Sequence, residues 1–231
     1  MSDANPLWGA PRIHGELLKL GFEISETTVS KYLIRERMPP SQTWRTFLEN
    51  HSKDIIATGF FTVPTATFRV LFVLVVLSHD RREILHTNVI ESPTAEKSAR
   101  QILEAIGLED APKYLVRDQN HKFSEYFCRQ VASVGITEVL TALASPWQNA
   151  YAERVIGTLR RECLDHMIIL GERHLRRTVK SYSDYYNTVR THLSLDKDSP
   201  EGRVVQFPDN GAIQSRRRCG GLHHEYYRQA A

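Results

Sequence analysis

The chain has only three cysteines in 231 residues, Cys128, Cys163 and Cys219. None has a partner at metal-ligand spacing, and an odd, scattered set makes no disulfide framework. No cysteine precedes Cys128, which excludes a His-His-Cys-Cys zinc constellation. Cys128 and Cys163 sit in apolar helical contexts and read as buried thiols, which fits a reducing, cytoplasmic setting. Long apolar runs are missing too. The longest, Val70 to Leu77, is far too short to cross a bilayer and reads as a strand, so no membrane partner is expected. The N-terminus lacks the basic-then-apolar pattern of an export signal. There is no internal repeat and no low-complexity segment. Nor is there a large excess of one charge: the net charge is +3, so nucleic-acid binding does not follow from the total.

What is present suffices for one good core and a small appendage, with 41% hydrophobic and 25% charged residues. Charge is unevenly placed. Between Arg154 and Arg190 eight basic residues face four acids, a local excess that can follow a phosphate backbone. A solvated helical face reads equally well from the charges alone.

The N-terminal part reads as two short helices. Pro11 to Gly21 carries Ile13, Leu17, Leu18 and Leu20 on its apolar side, with Gly21 as C-cap. Ser25 or Thr27 can cap a second helix, Thr28 to Ile34, which presents Lys31. The pair resembles a helix-turn-helix segment. Met38-Pro-Pro-Ser-Gln is the expected linker, because consecutive prolines block a helix. Beyond it, Trp44 to His51 reads as a helix, and Ile55 to Val63, Phe68 to Leu77 and Glu83 to Ile90 read as antiparallel strands. Helix 95–106, strand 114–117, helix 124–134, strand 136–140 and two further helices follow, and the chain ends in a basic, loop-rich tail that reads as a short strand pair or an extended arm. That order is the α/β order of a ribonuclease-H-like fold, a five-stranded mixed sheet with flanking helices.

Two stretches carry chemistry. Ser145-Pro-Trp-Gln-Asn opens an amphipathic helix in which Ala152, Val155, Leu159 and Cys163 form the buried stripe. One step round, Glu153, Gly157 and Arg160 share a second face. Upstream, Lys113-Tyr-Leu-Val-Arg-Asp118 reads as a short buried strand ending in an acid, where open α/β sheets place their chemistry.

These stretches, with Asp118 lying 35 positions before Glu153 and with Tyr185-Tyr-Asn-x-x-Arg-Thr-His-Leu-Ser-Leu, resemble the core of bacterial insertion-sequence transposases, members of the retroviral-integrase-like (DDE) superfamily. The resemblance covers roughly residues 41–230 and implies in-line phosphodiester cleavage and strand transfer on double-stranded DNA. It implies two Mg²⁺ or Mn²⁺ ions about 4 Å apart, held by three acids. Asp118 and Glu153 match the second and third acids, as catalytic residues and metal ligands. Gly59 stands where the first should be. Asp54, on the opposite face of the strand, and Asp80, at a distant turn, offer no replacement.

The resemblance also implies DNA contacts at Gln148, Asn149, Arg154, Arg160, Arg161 and Lys31, and a homo-oligomer when DNA-bound. Trp147 reads equally as a loop anchor, and His192 as structural. The expected domains are a partial helix-turn-helix segment with its linker over 1–40, an integrase-like catalytic core over 41–200, and the tail over 201–231. Family members carry further helices upstream, so the chain reads as N-terminally truncated. Loss of the first acid implies a catalytically impaired protein. The alternative is a non-enzymatic DNA-binding fragment that regulates an intact transposase.

Overall fold

Strand β1 (Ile55–Pro64) organises the larger unit, because its alternating side chains feed two different cores. Phe61 and Val63 pack with Val155, Ile156 and Leu159, and Ala57 packs with Ala152. Ile56 points the other way, into a core with Leu74, Ile102, Phe127 and Val131. A strand covered on both faces must be nearly continuous in apolar residues, as this one is. The computed structural model describes residues 1, 10–32, 43–92, 94–106, 112–118, 125–142 and 146–230. They fall into two units, Met1–Thr43 and Trp44–Ala231.

In the first unit, α1 (Ala10–Lys19) and α2 (Glu26–Tyr32) enclose Ala10, Ile13 and Val29. Gly21, just beyond α1, has φ +84°, the left-handed turn that favours glycine. Of the two expected caps, Ser25 is used: the Thr28 amide donates to its hydroxyl at 3.2 Å. The end of the second helix beyond Tyr32, and the Met38–Gln42 linker, lie outside the described residues.

In the second unit, α3 (Trp44–His51) leads into a five-stranded sheet in the order β3-β2-β1-β4-β5. Strands β2 (Val70–Ser78) and β3 (Ile84–Ile90) are antiparallel, whereas β4 (Tyr114–Arg117) and β5 (Thr137–Leu140) continue in parallel from β1. This is the ribonuclease-H-like arrangement expected from the element order. Helices α4 (Ala95–Ile106) and α5 (Glu125–Ser133) cover the Ile56 face, and α6 (Ala150–Glu162) and α7 (Glu172–Thr188) cover the Phe61 face.

The edge strand β3 is stopped by side chains. Asn187 on α7 accepts from the Ile84 amide at 3.0 Å and donates to the Ile84 carbonyl at 2.9 Å, standing in for a neighbouring strand. Arg176 donates to the Val89 carbonyl further along. Both devices occupy an edge that would otherwise pair with another chain. In the tail, β6 (Ala212–Arg218) and β7 (His223–Gln229) pair antiparallel, the strand pair among the two expected forms. The His223 ring stacks on Tyr185 at 4.4 Å, and Cys219 is buried in the core cluster of α6 and α7. The thiol expectation therefore changes: Cys163 and Cys219 are buried, while Cys128 is half-buried beside the Arg117 guanidinium.

Candidate active site

The stripe Ala152, Val155, Leu159 and Cys163 is fully covered, so α6 lies flat on the sheet along one side. Glu153 and Arg154 emerge exposed beside that contact. Across from them, Ala57 of β1 pairs with Val116 of β4. Two residues further along these parallel strands, Gly59 and Asp118 come level, and Asp118 leaves the strand end exposed. The same stretch of α6 covers Gly59: a Cβ built there would lie 2.9 Å from Ile156 Cδ1 and 3.7 Å from Ala152 Cβ.

The two carboxylates are near enough to interact electrostatically. Partial burial and then the Asp118 charge push the Glu153 carboxyl above its ordinary range. Mutual repulsion of this kind is what a bound cation relieves. The donor set is nevertheless short. Among the described residues no group of three or more His, Cys, Asp or Glu side chains could hold a metal ion. Neither Asp54 nor Asp80 completes it: Asp54 is salt-bridged to Lys113 at 2.9 Å, at the far end of β1, and Asp80 is exposed in the β2–β3 turn. Among the described residues, these two carboxylates could hold one ion between them, and no third acid stands beside them for a metal pair.

The remaining positions separate by what their side chains touch. Asn149 is buried, and its amide donates to the Thr58 carbonyl of β1 at 2.9 Å. It makes no side-chain cap on α6. Gln148 accepts from the Ala142 amide at 2.5 Å, which ties the end of β5 to the start of α6. Arg160 donates to the Thr62 carbonyl at 2.9 Å and lies over the Phe61 ring. Gly157, on the face of Glu153 and Arg160, is covered, because the Arg161 guanidinium would meet a Cβ there at 3.0 Å. Arg154 and Arg161 are exposed and form no ion pair among the described residues. Lys31 lies in the other unit, 6.0 Å from the Tyr32 ring centre. Ser145 and the side chain of Trp147 are outside the described residues.

Two supporting groups left no clear mark in the sequence. Arg117, buried, pairs with Glu138 and donates to the backbone carbonyl of Asp118 at 3.0 Å, fixing the strand end that presents the acid. A charged residue inside the apolar run Tyr114-Leu-Val-Arg117 was the available signal, since a buried charge requires a partner. The second group explains the Tyr185–Leu195 motif. Arg190 grips Glu162 with two hydrogen bonds of 2.8 and 2.7 Å, Tyr182 donates to the same carboxylate at 2.8 Å, and Arg190 meets His192 Nδ1 at 3.2 Å. Asn187 therefore ties α7 to β3, and Arg190, in contact with His192, ties the end of α7 to α6.

Residues 134–200 match the integrase core domain family. The chain is 28% identical over 151 residues to an uncharacterized 31.7 kDa protein of insertion element IS407 from Burkholderia multivorans, covering 59% of this chain and 54% of that protein. It is 24% identical over 202 residues to an uncharacterized 39.2 kDa protein of insertion element IS476 from Xanthomonas euvesicatoria, covering 87% of this chain and 57% of that one. The chain thus spans little more than half the length of these curated relatives. A solved chain from the simian T-cell lymphotropic virus intasome, in complex with PP2A regulatory subunit B56 gamma, superposes with a TM-score of 0.51 at 13% identity. That match covers 89% of this chain and 81% of the viral one, and it shows the fold alone. Among the described residues no helix is long and apolar enough to cross a membrane.

Proposed function

We propose that this chain, an insertion-sequence transposase relative with an integrase-like core, engages duplex DNA along the exposed side of α6 and is impaired in strand cleavage and transfer. The observation that carries the reading is the approach of Asp118 and Glu153 beside Gly59. In-line attack on a phosphodiester needs an activated incoming oxygen and a stabilised leaving oxygen. Two carboxylates can hold one divalent ion, Mg²⁺ or Mn²⁺, which would polarise one phosphate oxygen. The protein's own contribution is to keep Asp118 in place through Arg117 and Glu153 in place through the buried stripe of α6. Nothing at position 59 supports a second ion. That deficiency favours a second reading, in which DNA binding outlasts the chemistry and the chain regulates an intact transposase.

DNA contact is assigned to Arg154 and Arg161, the exposed cations of the proposed face, with Lys31 as a separate contact in the N-terminal unit. Arg160, Gln148 and Asn149 act by shaping that face from behind. Binding of the full chain to a duplex should fall as salt rises, linearly on logarithmic axes. Changing Arg154 and Arg161 together to Gln should flatten the slope by about 0.9 for each phosphate that is no longer neutralised. An identical slope in the double variant would remove α6 from the interface.

A further inference from the structure

Position 59 lacks more than a carboxylate. Its backbone is ordinary strand without a positive φ, so no turn requires glycine there. Strand register gives it a partner on β2, Val75, and α6 covers it from above. Ile156 reaches into the space that glycine leaves: its Cδ1 would lie 2.9 Å from a Cβ at position 59, closer than carbon atoms pack. Ile156 is 6% exposed and belongs to the core cluster with Phe61 and Val155, so its methyl is part of a continuous apolar surface. Ala152 Cβ, at 3.7 Å, is in ordinary contact and adds no obstruction.

We infer that Ile156 is a positioning residue of the site: its terminal methyl fills the place where a first-strand acid's side chain would begin, so positions 59 and 156 determine together whether a third carboxylate can join Asp118 and Glu153. This rests on the reading of β1 as the strand of the first acid. It goes further in stating that Gly59 and Ile156 form one packed unit, and that restoring the acid alone meets an apolar obstacle. An aspartate at the site must turn Ile156 out of its rotamer or be turned away from the other acids.

The test is a thermodynamic cycle on the full chain, without metal or DNA, so that it does not depend on the functional reading. Gly59→Ala normally raises stability inside a strand, by restricting the unfolded chain and restoring a side chain. Here it should lower the melting temperature by about 3 °C, because an extra carbon overpacks the contact with Ile156. In an Ile156→Val background, which deletes Cδ1, the same change should be neutral or raise the melting temperature. Equal effects of Gly59→Ala in both backgrounds, or failure to fold in both, would overturn the inference. A second readout separates positioning from mere packing. Gly59→Asp should bind Mn²⁺ at least tenfold more tightly when Ile156→Val accompanies it than when it does not. Equal affinities would assign Ile156 to packing alone and overturn its positioning role.

Discussion

Gly59→Asp combined with Ile156→Val is expected to raise metal-dependent nicking of duplex DNA about a thousandfold over the unmodified chain. The size follows from the chemistry a bridging acid supports: about 4 kcal/mol of transition-state stabilisation corresponds to roughly three orders of magnitude in rate. The geometry favours success, because position 59 lies level with Asp118 and beneath the α6 turn that carries Glu153. Gly59→Asn with the same Ile156→Val change is the control. It has the bulk of aspartate without the charge, so it should recover little. Gly59→Asp alone should fall between the two. A folded Gly59→Asp/Ile156→Val protein that binds Mn²⁺ no better than the unmodified chain would contradict the placement of the first-acid position.

Glu162→Gln is expected to give the largest loss of stability among the polar changes, about 2 kcal/mol, or roughly 4–8 °C in melting temperature at neutral pH. The Arg190 and Glu162 side chains keep 25% and 30% of their exposure, so the cost is set below that of a fully buried pair. Glutamine keeps an acceptor for Tyr182 or Arg190 but removes the charge that the guanidinium faces. The pH dependence has a definite sign. Burial pushes the Glu162 carboxyl up, but hydrogen bonds from Arg190 and Tyr182 and the Arg190 charge outweigh it and hold the group below its ordinary range. A depressed folded pKa contributes stability above the unfolded value of about 4.3, and that contribution disappears as pH falls through the folded value. The unmodified chain should therefore lose stability over that acid window more steeply than the variant. Matching melting curves at pH 7 would show that the pair contributes nothing net.

Most of the frame could be read from local pattern. A short, nearly continuous apolar run marks β1, and the stripe Ala152, Val155, Leu159 and Cys163 orients α6, because burial imposes those patterns residue by residue. Asp118 stood out as an acid closing an apolar strand, and Gly59 as a residue lacking the expected charge. Contacts that join distant segments left no such pattern. Nothing within Tyr185–Leu195 shows that Asn187 closes the edge of β3, 103 residues away, or that Arg190 holds Glu162. The burial of Cys219 has no mark in the tail's own sequence, since only the hairpin's return onto α7 covers it. Ile156 read as one more apolar position on a helix. Its significance depends on Gly59 having no side chain, a property of the pair that neither residue displays alone.

The most direct test of the central claim is calorimetric titration of the full, unmodified chain with Mn²⁺, alongside Glu153→Gln, with nicking of a supercoiled duplex measured in the same samples. One weakly bound ion at most, lost in Glu153→Gln, and nicking at background in both proteins is the predicted result. Two tightly bound ions, together with strong nicking by the unmodified chain that Glu153→Gln abolishes, would contradict it.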